Sequence, residues 1–593
     1  MPKKTLQTRS KLRKFASRFA ERDLLLVLSL LIGCCCGLSA VLLDFLIKAI
    51  RHGATSWISE DTNFVYFILP GLGMFISLLL VRYVIRDKIG HGVTKVLVAV
   101  SKNESRIKPH NMWSSILTSS ITIGLGGSVG AEAPIVYTGA AIGSNVARWM
   151  GMSHKNITIL LGCGAAGAIA GIFKAPLAGI LFTLEILLFN ISMTSILPLL
   201  LSTVSATVVS YIFTGVTPQF TCFITPFAMR NIPAYLVLGI FCAACSLYFN
   251  KMTLYLEDKA KKIENPYLKW GICALLLGLL IFFFPPLYGE GYGVLQTFLS
   301  GETPDLQGHT PLAFFMSKPL LIPLFFLIII VVKVFSMTFT NAGGGVGGTF
   351  GPTLFVGGIA GFVLVRVLNL CFPALALPES NFVLVGMAGL MAGVMQAPMT
   401  AIFLIAEITG GYDLLLPLIF ASAVSFGVTR IAEKYSIYTK RIAASGDLLT
   451  HDSDQAVMTL LSTSELIRDK YPRVRTGTSV RSLVGTVSSS SEAVIAIVDA
   501  ESRFKGVIDV DHVRGALFDT SIYDTKKVED IMSVPPAFVY SDEKMDSVME
   551  KFDRTDAWRL PVIDSQGVYL GFISKSRILM AYRSQLKEIT SED

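Results

Sequence analysis

Gly126-Gly127-Ser128-Val129-Gly130-Ala131-Glu132-Ala133-Pro134 sets a single carboxylate among glycines and alanines inside a long apolar region. An ionisable side chain is costly in hydrocarbon, so Glu132 reads first as part of an ion or substrate path. The glycines before it leave backbone N–H groups open to close approach, and Pro134 stands where a helix's first turn would begin. Peptide dipoles at such a point favour an anion. The competing reading is an acidic cap that satisfies its own helix.

Working outward, the composition makes the surrounding solvent a bilayer. Of 593 residues, 52% are hydrophobic and 16% charged, with mean hydropathy +0.59, which predicts a polytopic membrane protein with room for a further domain. Part of the net charge of +8 lies in Lys3, Lys4, Arg9, Lys11, Arg13, Lys14, Arg18 and Arg22, ahead of the apolar run Leu24 to Ile50. By the positive-inside rule this basic segment, 1–23, stays in the cytoplasm. Its direct continuation into a span argues against a nucleic-acid partner, and the length of that span argues against a cleaved signal peptide.

Metal and hydrolase chemistry find little support. All nine cysteines fall in or beside apolar segments; Cys242 and Cys245 have the spacing of a metal pair but no second pair, so no metal is assigned. No two histidines stand four apart, and Ser128 has no identifiable His partner.

Leu24 to Ile50, Phe64 to Val84, Leu236 to Leu254, Trp270 to Phe284 and Leu320 to Phe339 are long enough, or nearly so, to span as helices. Segments around 124–150, 162–190, 343–371 and 386–409 are shorter and broken by Gly or Pro. Broken helices at membrane depth survive only where the freed backbone is buried or lines a cavity, so they mark the functional centre. They also repeat. Ala166 to Ile186 aligns with Ala388 to Ile408 at an offset of 222, matching Gly167/Gly389, Gly171/Gly393, Ala175/Ala397, Pro176/Pro398 and Glu185/Glu407. Gly130-Ala131-Glu132-Ala133-Pro134 faces Gly348-Thr349-Phe350-Gly351-Pro352 at a slightly different offset, followed by Gly139/Gly357 and Gly143/Gly361. Two halves with interrupted helices in matching positions are the pattern of transporters whose binding site lies at the repeat interface. The residues do not say whether the halves are inverted.

From 443 to 593 the chain is charged, without a spanning segment, and again repetitive. Val494 to Asp499 with Phe504 to Asp509 parallels Arg559 to Asp564 with Tyr569 to Ser574, each unit a strand, a turn, a strand and the start of a helix.

These residues together resemble the CLC chloride channels and chloride/proton antiporters with a C-terminal pair of CBS repeats. The family's Gly-Lys/Arg-Glu-Gly-Pro signature looks like Gly130 to Pro134, its Gly-x-Phe-x-Pro signature is matched by Gly348 to Pro352, its Gly-Ser-Gly-Ile-Pro signature falls on Gly90-His91-Gly92-Val93-Thr94, and its late pore tyrosine on Tyr438. The resemblance implies an all-α polytopic membrane domain of inverted repeats with broken helices (24–442; repeats about 24–225 and 230–442). A cytoplasmic α/β CBS pair would follow (443–593; about 443–520 and 525–593). It implies a homodimer in the cell membrane, one anion pore per subunit, and both termini cytoplasmic. Helix starts near 91, 131 and 349 would face chloride or another small anion. His91, Gly130, Ala131, Thr349, Phe350 and Tyr438 would bind it and Glu132 would act as the movable gate.

Three departures bear on what the resemblance implies. His91 replaces the anion-coordinating Ser and Thr94 the Pro, which puts anion choice in play. Ile186 stands where antiporters of the family commonly carry an inner proton-relay glutamate, which favours passive conduction. Ala131 and Ala133 replace the basic residue and Gly beside the gate, which predicts a weaker positive potential at the mouth. Glu185 and Glu407 read as structural helix-end acids. In the CBS pair, Gly571, Ser574 and Arg577, like Gly506, Asp509 and His512, lack the ribose-binding acid, so adenine nucleotide is not the expected ligand and no cofactor is assigned. The expectation is a non-enzymatic, glutamate-gated chloride channel. The alternatives are a chloride/proton antiporter and, further off, a CBS-regulated scaffold or receptor.

Overall fold

The computed structural model describes residues 20–56, 63–87, 92–102, 105–187, 193–304, 310–315, 318, 320–444, 461–490, 492–555 and 557–590. His91 and most of the basic N-terminal segment lie outside the described residues. The chain divides into two compact units, Met1–Leu448 and Leu449–Asp593.

The first unit is helical. Its first half comprises α1 (Glu21–Thr55), α2 (Asn63–Leu79), α3 (Gly92–Lys102), α4 (Ser114–Gly124), α5 (Glu132–Met150), α6 (His154–Phe173), α7 (Pro176–Ile186) and α8 (Met193–Thr214). The second comprises α9 (Ile232–Lys261), α10 (Pro266–Phe283), α11 (Tyr292–Leu299), α12 (Ile322–Ala342), α13 (Phe350–Cys371), α14 (Glu379–Met395), α15 (Pro398–Ile408) and α16 (Leu415–Ala432), with α17 (Ile437–Ala444) closing the unit. Among the described residues nine helices are long and apolar enough to cross a membrane.

Equivalent breaks have equivalent causes. Proline removes an amide and disfavours the helical region for the residue before it. So α6 stops at Phe173, Lys174 turns left-handed (φ 58°), and Pro176 opens α7; likewise α14 stops at Met395, Gln396 turns left-handed (φ 55°), and Pro398 opens α15. Close helix pairs repeat as well. A Cβ on Gly139 would strike the Gly164 carbonyl between α5 and α6, and one on Gly357 would strike the Gly386 carbonyl between α13 and α14. Small residues let backbones approach in a membrane domain, where packing rather than water drives helix association.

The halves are joined through their own equivalent residues. Gly130 and Gly348 form an antiparallel bridge, the Gly130 N–H donating to the Gly348 carbonyl at 3.1 Å and the Gly348 N–H returning at 2.7 Å. Glu185, near the end of α7, accepts from the Met399 and Thr400 amides (3.0 and 2.7 Å) and the Thr400 hydroxyl (2.7 Å) at the start of α15. Glu407, near the end of α15, accepts from the Leu177 and Ala178 amides (3.0 and 2.9 Å) at the start of α7. Matching helices therefore run antiparallel, which establishes that the repeats are inverted. The two glutamates are helix-end acids, but the end each satisfies belongs to the other repeat.

The second unit holds two sheets of the same design: β1 (Arg473–Arg475), β2 (Val494–Val498) and β3 (Phe504–Asp509), then β4 (Val539–Tyr540), β5 (Arg559–Ile563) and β6 (Tyr569–Ser574). In each the first pair is parallel and the second antiparallel, with a register shift at Ile497/Val498 and again at Val562/Ile563. An apolar cluster of Tyr471, Val494, Ala496, Val498, Tyr569 and Phe572 joins them, with Arg468 bridged to Phe572.

Candidate functional site

Four elements converge where the halves meet. α5 begins at Glu132 and α13 at Phe350, so each turns the unsatisfied amides of a helix start towards the junction. α3 begins at Gly92, so close that a side chain there would strike the Ala133 carbonyl. α17 brings Tyr438, whose hydroxyl lies 3.4 Å from Thr349 Oγ1.

The Glu132 side chain reaches out of its own helix. Only 2% exposed, it accepts the Tyr292 hydroxyl on Oε1 at 2.5 Å and the Gly351 amide on Oε2 at 3.2 Å. A carboxylate thus sits on the first turn of the opposite repeat's helix, where a small anion would find the same donors. Gly130 is held by the bridge to Gly348. The Ala131 amide donates to Glu290 Oε1 at 3.2 Å. Phe350 turns its ring away into the other half, with centroids 5.4 Å from Phe173 and 6.3 Å from Phe182. Its backbone is what faces the junction. The amide engaged by the carboxylate is that of Gly351, one position past the expected Thr349 and Phe350. Ile186 is buried at the end of α7, and its neighbour Glu185 is committed to α15.

Three neighbours of this junction escaped the sequence reading. Tyr292 and Glu290 come from Gly289-Glu290-Gly291-Tyr292-Gly293, in which Gly289 (φ 67°) and Gly291 (φ 88°) are both left-handed. Those turns set Glu290 on Ala131 and Tyr292 on Glu132. Lys333, fully buried in α12, donates to Ser128 Oγ at 2.8 Å and the Gly289 carbonyl at 3.3 Å, tying the two glycine-rich loops together. Ser128 Oγ donates in turn to the Leu287 carbonyl at 2.6 Å. This Ser–Lys pair is buried and occupied by backbone, not presented to a substrate. A signal was present for both charges: a lone acid between glycines at 290 and a lone cation in an apolar run at 333 satisfy the rule that singled out Glu132.

A cavity of about 260 Å³ reaches Ala131, Glu132, Lys174, Glu290 and Tyr292. A wider one of about 570 Å³ shares Asp44, Lys48, Glu290 and Tyr292 with it and adds Arg51. Ala131 itself brings no charge, yet Lys48 and Lys174 line the recess that Glu132 reaches, and Arg51 lines the wider one. Among the described residues no cluster of His, Cys, Asp and Glu has the makings of a metal site. In the second unit Asp509 pairs with His512 Nδ1 at 3.2 Å and Ser574 Oγ accepts the Arg577 amide at 3.3 Å.

Residues 72–430 match the family model described as voltage gated chloride channel, and residues 528–584 match that of the CBS domain. Chloride channel protein CLC-e of Arabidopsis thaliana is 28% identical over 447 residues, which is 69% of this chain and 60% of that protein's length. The H(+)/Cl(-) exchange transporter ClcA of Vibrio cholerae is 27% identical over 432 residues, or 69% of this chain and 87% of that one. The crystal structure of a slow cyanobacterial Cl-/H+ antiporter superposes with a TM-score of 0.61 at 20% identity, covering 71% of this chain and 97% of its own. That of a eukaryotic CLC transporter superposes with a TM-score of 0.59 at 16% identity, covering 93% and 97%.

Proposed function

The chain belongs to the voltage-gated chloride channel family, and from that premise we propose that it is a passive pathway for chloride or a similar small anion, gated by Glu132. The observation that carries the reading is the Glu132 carboxylate seated on the Gly351 amide at the start of α13. A negative side chain occupies the donors that a dehydrated anion needs, so the two exclude one another. Conduction follows when the carboxylate is protonated or displaced by anion. Ala131 and Gly130 on one side, Thr349, Phe350 and the Tyr438 hydroxyl on the other, and His91 at the third helix start then receive the ion. Partial charges of helix ends attract an anion without the grip of a full cationic ligand, which permits release.

Passive conduction is favoured because the inner relay position is Ile186 and Glu185 is held by three donors of α15. Chloride/proton antiport is the second reading, favoured by the exchange activity named for the Vibrio cholerae relative. In either case the protein works as a homodimer in the cell membrane with both termini cytoplasmic. The CBS pair then serves a structural or gating role rather than holding adenine nucleotide.

Reconstitution into liposomes with simultaneous recording of anion efflux and internal pH tests this. Anion flux without proton movement is expected. Uphill proton movement driven by a chloride gradient replaces the channel with the antiporter, and the absence of anion flux in both wild type and Glu132→Gln leaves only a membrane scaffold.

A further inference from the structure

In sequence, the same Gly-x-Gly tripeptide precedes two matching helices. Gly90-His91-Gly92 precedes α3, and Gly289-Glu290-Gly291 precedes α11. The middle residue of the first is the expected anion ligand of the first repeat, so by the inverted repeat the second should also present its middle residue to the ion path. It presents a carboxylate. Glu290 Oε1 accepts the Ala131 amide at 3.2 Å, the donor at the start of α5, while Glu132 accepts the Gly351 amide at the start of α13. Two of the three helix starts that would receive an anion, those of α5 and α13, are therefore each covered by a carboxylate, and the two carboxylates belong to opposite repeats. Both line the same cavity.

We propose that Glu290 is a second gating carboxylate, which must be protonated or displaced from the Ala131 amide, together with Glu132 from the Gly351 amide, before an anion passes. The inference rests on the pore reading above. The charges around Glu290 come from every side: Asp44, Lys48 and Arg51 on α1, Glu132 on α5, Lys174 at the end of α6, Tyr292 on α11 and Lys333 on α12, with Tyr66 and Tyr288 lining the wider cavity. Arg51 and Lys333 interact with Glu290 as opposite charges and Glu132 as a like one. Two acids of like charge in one recess oppose each other, so losing one proton-binding site alters the other.

The test is the dependence of anion efflux on pH at the cavity side, measured in liposomes at low chloride. If both lids must be neutralised, the logarithm of the rate falls with pH at a limiting slope approaching two in wild type. The slope drops to one in Glu290→Gln and in Glu132→Gln, and to zero in the double variant. A purely structural Glu290, serving only as counter-charge to Arg51 and Lys333, alters rates or yield but leaves the slope unchanged. A wild-type slope of one, read without any variant, overturns the proposal. So does a Glu290→Gln or Glu290→Ala protein that keeps the wild-type slope, or a double variant that still titrates. A flux that responds to Glu132→Gln but not to Glu290→Gln removes this inference and leaves the pore; no flux in any of them removes the pore itself.

Discussion

Glu132→Gln keeps the shape of the lid and removes its charge, so its effect follows from two bonds. The carboxylate holds Tyr292 and the Gly351 amide. Hydrogen bonds to a charged acceptor contribute about 1.5–3 kcal/mol each, and neutral ones about 0.5–1.5. The closed lid is thus held by about 3–6 kcal/mol as glutamate and about 1–3 as glutamine. The difference of about 2–3 kcal/mol, at about 1.4 kcal/mol per factor of ten, raises the fraction of open lids roughly 30- to 140-fold. Glutamine also turns an NH2 towards one of the two donors, which acts in the same direction. Initial chloride efflux from liposomes at pH 7.5 reads this change directly. A variant that folds and conducts at less than about three times the wild-type rate refutes the assignment of the lid to these two contacts.

Either Glu185→Ala or Glu407→Ala orphans two amides at the start of a helix in the other repeat, at about 0.5–2 kcal/mol for a lost cap. On α7 one cap lies at Leu177 and Ala178 and the other at Glu185, which sets the two roughly 11–12 Å apart along the helix, so thermal unfolding in detergent should show two similar, additive losses; an unchanged melting temperature for either contradicts the reciprocal caps. In the second unit burial pushes the Glu543 carboxyl up, but Lys551, Ser547 and the Tyr540 amide outweigh it and hold it below its ordinary value. A depressed carboxyl contributes stability above its unfolded value and loses it as pH falls through the folded one, so the protection factors of amides in Met545–Thr555 of the full chain, corrected for the intrinsic pH dependence of exchange, should fall below about pH 4.5. Compared at the same pH, Glu543→Gln should already exchange faster at pH 7 and converge with wild type in acid. Equal protection at pH 7 refutes it.

Much of this architecture was legible because it is periodic. Pro176 and Pro398, at one offset, announce the same helix break twice, and Glu132 among glycines announces the centre. The helix starts expected near 91, 131 and 349 lie at Gly92, Glu132 and Phe350. What escaped depends on contacts between segments far apart in sequence. Tyr292 meets Glu132 across 160 residues, Lys333 meets Ser128 across 205, and no local pattern encodes either partner. The direction of the repeats was illegible for the same reason: an offset aligns residues but carries no orientation until Gly130 is seen bonded to Gly348. The missing basic residue beside Glu132 was read as a local loss, whereas Lys48 and Lys174 line that recess from elsewhere.

The exchange of caps between α7 and α15 bears on the chain's history and on its handling. Two near-copies of one unit ordinarily invite separation, since each carries its own fold. Here Glu185 and Glu407 each leave home, so either half expressed alone would keep a carboxylate with nothing to bind and a helix start with nothing to bind it. The same two contacts give a chain cut in the loop between the halves, 215–231, a matched pair of docking points.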